Sequence, residues 1–523
     1  MSEALIATSM GQLLRDRAAT DGRREFLRFE GTMLSFAEVD RRTDQVAHWL
    51  GARGITRGDR VGVMLPNGLD FPVAWLGIAK AGAVMVPLNV QYRAHDLAYT
   101  LGDAGVALVL ADPGFVPTIE GAALARGALP VVPVAPGQLA IAGRGGVGDM
   151  LDAMPTGAAI VAEPGDLLNI QYTSGTTGEP KGCMLTHEYW LLLSARAAQF
   201  ARMTGDDVAL TAQPFYYMDP QWNVGMCLAV GCALVILPRF SASTFWRSVR
   251  DAGATFFYVL GTMPVFLLKQ PPDPVVERGH RVRFVSCSGI VPQLHAVFEE
   301  RWGVPWREGF GMTETGVDLV VPIEDAASVG TGAVGRPVEG KEARVVDEAG
   351  TALGDGVVGE LCVRGRGMMR GYWNKPEATA ERIRDGWLHT GDLAWRDASG
   401  YYHLVGRLKD MIRRGGENIS AVEVEGVLAE HPAVRAAAVV PVPDELRGEE
   451  VKAFVQRQEG MSLEPAELVA FVRERLAAFK APRFIEFIDD FPRTPSERVA
   501  KHKLARDDPR SGAWDAKLGT WIP

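Results

Sequence analysis

The sequence predicts an α/β protein: a large N-terminal domain of two α/β lobes plus a small β subdomain, followed by a small α+β C-terminal domain. Three observations predict it. Apolar runs of strand length alternate with helical stretches from Ser35 to Ser286, the signature of βαβ units and a largely parallel sheet. Over 343–363 the pattern changes to short strand, Asp347-Glu348-Ala349-Gly350 turn and strand. Past Gly406-Arg407-Leu408-Lys409-Asp410 a compact mixture of helices and strands begins, which places the divide between residues 1–408 and 409–523.

Ser35 and Glu38 form a capping-box pattern, and Phe36, Val39, Val46 and Leu50 follow at helical spacing until Gly51 and Gly54 end the helix. A strand at 61–65, a helix at 73–80, a strand at 84–88, a helix at 96–101 and a strand at 106–111 complete the first run. The Ala/Gly/Pro-rich stretch 121–148 has little amphipathic pattern and reads as a surface excursion before a strand at 167–170. Strands at 208–212, 233–237, 255–260 and 282–286 then build the second lobe. In the tail, helices at 422–428 and 465–479 and strands at 437–440 and 451–456 make the α+β unit.

Composition excludes several classes of function. A net charge of -9 gives no basic footprint for nucleic acid or an anionic membrane surface. The longest apolar stretch, 224–237, contains Gly225 and Gly231 and is shorter than the roughly 20 residues that span a bilayer, so it reads as a buried helix and strand. No signal-peptide pattern opens the chain. Five dispersed cysteines, Cys183, Cys227, Cys232, Cys287 and Cys362, lack metal-ligand spacing and read as buried reduced thiols of a cytoplasmic protein.

The stretch that organises the chain is Tyr172-Thr173-Ser174-Gly175-Thr176-Thr177-Gly178-Glu179-Pro180-Lys181-Gly182. Its glycines let backbone N–H groups converge on an anion, its five hydroxyls add donors, and Lys181 adds a mobile positive charge. Such a loop suits a nucleotide triphosphate. The loop is not the Gly-Lys-Ser/Thr type that opens a helix, because Lys181 sits between Pro180 and Gly182.

This string resembles the signature loop of the adenylate-forming superfamily, which includes acyl-CoA synthetases, peptide-synthetase adenylation domains and luciferases, and the resemblance extends over nearly the whole chain. It implies that Thr173, Ser174, Gly175, Thr176, Thr177, Gly178 and Lys181 hold ATP phosphates. In Glu308-Gly309-Phe310-Gly311-Met312-Thr313-Glu314 it assigns Mg2+ to Glu314, the α-phosphate to Thr313, and nucleotide contacts to Gly309, Phe310, Gly311 and Met312, with Gly311 also bordering the acyl pocket. A lone carboxylate beside phosphate oxygens is a usual Mg2+ shell. Ser288-Gly289-Ile290 is similar to the segment lining the adenine pocket. Asp392, closing Gly386-Trp387-Leu388-His389-Thr390-Gly391-Asp392, and Arg407 are implied as ribose contacts. Lys409 is implied as the hinge about which a mobile C-terminal domain rotates. Gly415 and Gly416 in Arg413-Arg414-Gly415-Gly416-Glu417-Asn418-Ile419 match a loop that lines the pantetheine channel of CoA-using relatives; a plain hairpin turn is the competing reading.

Two departures from the family pattern stand out. The family's C-terminal lysine motif is here Pro492-Arg493-Thr494-Pro495-Ser496-Glu497-Arg498, with Glu497 in place of glycine and Arg498 in place of lysine. Charge is kept, but a planar fork replaces a point charge, and Lys501 or Lys480 are the nearby substitutes. In Pro214-Phe215-Tyr216-Tyr217-Met218-Asp219-Pro220-Gln221, Tyr217 stands where many relatives carry histidine at the mouth of the acyl pocket. The Asp-x-Gln sequence resembles carnitine- and crotonobetaine-CoA ligases, and Tyr216, Tyr217 and Trp222 are the expected pocket walls, with plain core packing as the alternative.

The expectation is an ATP-dependent acid–CoA ligase that uses ATP, Mg2+ and CoA on a small carboxylic acid, with no nucleic-acid partner, no membrane span, and a homodimer as the entertained assembly. An enzyme loading a carrier-protein thiol and a non-catalytic acyl- or nucleotide-binding sensor are the alternatives.

Overall fold

The computed structural model describes residues 5–523 apart from 124–128, 158–159, 161, 174–179, 262, 409–410, 415–416, 445, 494–498 and 505–507. The capping box forms as read. Ser35 N donates to Glu38 Oε2 at 2.8 Å and Glu38 N to Ser35 Oγ at 3.3 Å, opening the helix Phe36–Ala52. That helix runs through Gly51, which was expected to end it, and the chain turns at Gly54 instead.

The first lobe is a six-stranded sheet in the order Val131–Pro133, Val106–Ala111, Arg60–Met64, Val84–Pro87, Leu167–Thr173, Lys181–Thr186. Its pairings are parallel except for the last, an antiparallel hairpin that brings Thr173 opposite Lys181. The helix Asp70–Lys80 is buried along its whole length. Its last residue, Lys80, is fully buried and held by Asp40 and Asp44 at 2.5 and 2.7 Å. Removing one partner of such a group would strand an uncompensated charge at about 3–5 kcal/mol.

The stretch 121–148 departs from its reading as a surface excursion. It adds the edge strand Val131–Pro133 and buries Leu139 and Ala140. Asp70 causes this, because its carboxylate accepts N–H bonds from Gly137, Leu139 and Ala140 at 2.5, 2.8 and 3.0 Å. A segment held through its main chain leaves no side-chain periodicity to read.

The parallel strands Ala233–Ile236, Val208–Thr211, Phe256–Leu260, Phe284–Ser288 and Trp306–Met312 form the second lobe. The N-terminal hairpin Glu25–Phe29 and Thr32–Ser35 closes its far edge, with Leu27 in register with Leu234. At the other edge Trp306–Met312 pairs antiparallel with Gly316–Val320, and the ladder continues through Ala333–Pro337, Tyr402–Arg407, Trp387–Arg396, Gly359–Gly365 and Lys341–Val346. The small β subdomain is thus a hydrogen-bonded extension of the second lobe, and with the two-residue strand Ile383–Arg384 paired to Trp387–Arg396 the described residues form one 14-stranded sheet. Its predicted turn is present, with Gly350 N donating to Asp347 O at 3.0 Å.

The C-terminal unit is a seven-stranded sheet on which the helices Ala421–Glu430 and Pro465–Arg475 enclose a separate core of Ile412, Val424, Val439, Val451 and Val472. The apolar run 224–237 resolves into the helix Met218–Val230 and the strand Ala233–Ile236. Among the described residues no helix is long and apolar enough to cross a membrane.

Candidate active site

The strands Phe256–Leu260, Phe284–Ser288 and Trp306–Met312 end side by side, and open α/β sheets bind ligands beyond such carboxyl ends. There Ser288 Oγ donates to Gly309 O at 2.7 Å, tying the two expected nucleotide segments together. The buried carboxylate of Glu308 accepts from Gly289 N at 2.5 Å and Ile290 N at 2.8 Å. Gly289 has φ 93°, a conformation that a side chain would strain. Burial pushes Glu308 up to about 8, against the two N–H bonds that favour its ionised form. The sequence reading gave Glu308 no role; its position before Gly309 carries no signal without the strand pairing.

Glu314 lies in the turn that follows Trp306–Met312. Gly311 allows the hairpin to close, since a Cβ there would lie 2.1 Å from Gly316 O. Below the turn a buried pair, Lys341 and Asp318 at 3.3 Å, anchors it, with Lys341 Nζ also donating to Thr315 O at 2.7 Å. Tyr189 OH donates to Thr313 O at 3.0 Å. Tyr372 OH donates to Glu314 Oε1 at 2.8 Å, while no described residue bonds Oε2. The same tyrosine presents its ring to Lys181, whose Nζ lies 5.3 Å from the ring centroid. Its backbone bridges to Cys183 in the strand Lys181–Thr186. Tyr372 therefore joins the base of the signature loop to Glu314, although the sequence gives no local hint of that role.

Asp392 and Arg407 face each other across an antiparallel pair, with Arg407 Nε 2.7 Å from Asp392 Oδ1. Arg382, at the end of the helix Pro376–Arg382, connects this pair to the Glu314 side. It donates to Thr390 O at 2.9 Å, and its charge acts on both the Tyr372 hydroxyl and the Cys183 thiol. The sequence reading missed Arg382 as well.

Two expectations are corrected in detail, those for the Tyr172 hydroxyl and the cysteines, and the Asp-x-Gln sequence finds its place in the fold. The Tyr172 hydroxyl, counted among the donors of the cradle, is spent on Asp103 Oδ2 at 2.6 Å. Gln221 of the Asp-x-Gln sequence is fully buried and belongs to a core network. It accepts from Asn169 Nδ2 at 2.8 Å and donates to Phe215 O at 2.8 Å, while Gln171 binds Tyr216 O at 2.7 Å. The cysteines are buried and free as expected, but Cys362 does meet possible metal ligands. Its Sγ is 3.4 Å from His389 Nδ1, which lies 2.7 Å from Glu360 Oε2. A histidine–carboxylate pair explains that contact, and the charges of Arg344, Arg384 and Arg382 nearby oppose a cation.

Among the expected pocket walls, Trp222 packs 5.4 Å from Tyr258 and is largely buried, as is Tyr216; Tyr217 lies 4.6 Å from Tyr216, is half-buried, and keeps the most open face. Phe310 and Met312 pack with the main core. Ser174, Gly175, Thr176, Thr177, Gly178, Lys409, Gly415, Gly416 and Arg498 lie outside the described residues.

Comparison with known proteins fits this arrangement. The AMP-binding enzyme family matches residues 14–373, and the AMP-binding enzyme C-terminal domain matches 423–498. A feruloyl-CoA synthase from Amycolatopsis sp is 34% identical over 483 residues, covering 92% of this chain and 95% of the relative. A crotonobetaine/carnitine–CoA ligase from Salmonella paratyphi A is 32% identical over 513 residues, covering 95% and 98%. Among solved structures, ATP-bound MatB from Rhodopseudomonas palustris superposes with a TM-score of 0.86 at 32% identity, and apo MatB with 0.76 at 31%, each covering 95% of this chain and 98% of MatB. The chain belongs to the AMP-binding enzyme family and is, within the adenylate-forming superfamily, an acyl-CoA ligase.

Proposed function

We propose that the chain activates a carboxylic acid with ATP, giving acyl-AMP and pyrophosphate, and passes the acyl group to the thiol of CoA at the same site. The observation that carries this reading is the link Lys181–Tyr372–Glu314, which sets a phosphate-loop cation beside a metal-type carboxylate at the carboxyl ends of the strands. The donor set fits Mg2+, because Glu314 offers Oε2 while Tyr372 fixes Oε1. When bound there the ion would supply charge neutralisation at the phosphates.

The residues then divide the work. The loop Thr173 to Lys181 holds the β- and γ-phosphates, Thr313 the α-phosphate, Ser288, Gly289, Ile290, Gly309 and Phe310 the adenine, and Asp392 with Arg407 the ribose. Arg498 offsets the charge that grows as the carboxylate attacks the α-phosphorus. The C-terminal domain next turns about Lys409 and presents Gly415 and Gly416 to the pantetheine arm, away from water. The domain divide at 408/409 belongs to the same proposal. Closer agreement with ATP-bound than with apo MatB supports reading the present placement of the C-terminal domain as the adenylate-forming one. A cytoplasmic homodimer completes the reading; sedimentation of the purified protein tests the dimer.

The acid stays at the level of a class, with ferulate, crotonobetaine and carnitine as first candidates from the relatives' names. The test is acid-dependent pyrophosphate release across a carboxylic-acid panel headed by these three, followed by addition of CoA or of a phosphopantetheinylated carrier protein. Acyl-CoA formation is expected. Acylation of the carrier alone, or no acid-dependent pyrophosphate, overturns the proposal.

A further inference from the structure

The helix Met263–Leu268 belongs to the second lobe, yet the residue that follows it, Lys269, reaches into the C-terminal domain. Its Nζ donates to Val434 O and, at 3.3 Å, to Arg435 O. Those carbonyls sit at the start of the strand Val434–Asp444, where the register slips between Val434 and Ala436. A bulge takes its extra residue off the ladder and leaves that residue's main-chain groups for other partners.

The base of this contact is rigid. Arg301 donates to Leu268 O at 2.5 Å and Gln270 O at 2.8 Å, clasping the backbone on both sides of Lys269, and is itself held by Glu277 at 2.5 Å. One turn back, the ring of Phe266 lies 5.8 Å from the guanidinium of Arg493, five residues before Arg498. Beside it the helix Ala421–Glu430 approaches Val291, which a Cβ on Gly426 would meet at 3.7 Å, directly after the Gly289–Ile290 pair that Glu308 holds.

We propose that Lys269 is a positioning residue for the adenylation half-reaction, a latch that holds the C-terminal domain in its present orientation by binding the carbonyls of the Val434–Arg435 bulge. The energetics suit a latch and not a permanent bond. No described carboxylate pairs with Lys269, and burial and the charge of Arg435 both oppose its protonated form, lowering it to about 8. When the domain turns away, the ammonium regains water and loses the repulsion, so release is cheap.

The inference rests on the proposed two-step function and on reading the present orientation as the adenylate-forming one. The two half-reactions therefore provide its test, using an acid from the panel above that the wild type activates. Lys269→Met is expected to slow acid-dependent pyrophosphate release by about tenfold or more while leaving thioester formation from supplied acyl-AMP and CoA unchanged. Arg435→Ala, which removes a repulsion, is expected to slow the thioester step by about two- to fivefold. Because the five native cysteines are buried, spin labels at introduced cysteines replacing Asp206 and Glu474 give a readout independent of turnover. With Mg·ATP the wild type should show one dominant distance and the Lys269→Met protein a broadened distribution. Equal loss of both half-reactions, no loss of either, or an unchanged distance distribution overturns the latch. A wild type that releases no pyrophosphate overturns the functional reading, and the latch with it.

Discussion

Replacing Tyr372 by phenylalanine separates the geometry of Glu314, the proposed metal carboxylate, from the rest of the candidate site. The ring that faces Lys181 and the backbone bridge to Cys183 both survive the change; only the 2.8 Å donation to Glu314 Oε1 is lost. Burial and the Glu314 charge push the Tyr372 hydroxyl well above its ordinary range, so it remains a donor at every working pH. A hydrogen bond to an ionised acceptor contributes about 1.5–3 kcal/mol, which corresponds to about ten- to a hundredfold or slightly more in an equilibrium constant. Loss of an outer partner of a metal-binding group has a similar effect on metal affinity, about 10–100-fold. Titrating Mg2+ in a pyrophosphate-release assay at saturating ATP should therefore move the half-saturating concentration up by that factor, with most of the rate recovered at high Mg2+. An unchanged Mg2+ dependence would refute the claim that Tyr372 orients Glu314.

Other expected outcomes follow from the same geometry. Asp392→Asn should raise the KM for ATP by about tenfold or more, and Arg407→Ala should add little on top of it, because the two groups form one 2.7 Å pair; independent effects in a double-mutant cycle would contradict shared ribose binding. Glu308 has its folded value raised from 4.5 to about 8, so its contribution to stability is present below about 4.5 and lost as pH rises through about 8. The melting temperature of the N-terminal domain should accordingly fall between pH 5 and 8, at a limit of about 1.4 kcal/mol per pH unit, and Glu308→Gln should flatten that slope. Arg498→Ala should cut pyrophosphate release by about a hundredfold or more and Arg498→Lys should retain most of it; unchanged release in the alanine variant would move the role to Lys501 or Lys480.

The architecture was legible wherever side-chain period reports burial. The strand Val106–Ala111 and the capping box at Ser35 came out as read because alternation and capping are local. Elements fixed by distant partners were not legible. The hairpin from Glu25 to Ser35 depends on pairing with Leu234 and its neighbours, and the order in 121–148 depends on Asp70. The same division holds in the site. Glu314, Asp392 and Arg407 announce themselves through motifs, and the last two do meet. Tyr372 and Arg382 make contacts that only the folded chain creates, and Gln221, conspicuous in sequence, is absorbed into the core.

In the proposed reaction a carboxylate oxygen attacks the α-phosphorus of ATP and remains on AMP when the acyl group leaves. Turnover of an acid labelled with 18O in both carboxylate oxygens tests it directly, with the nucleotide products analysed by mass spectrometry. AMP carrying one 18O atom, left behind when the thiol takes the acyl group, is expected. Unlabelled AMP, or label in inorganic phosphate alongside ADP, would contradict it.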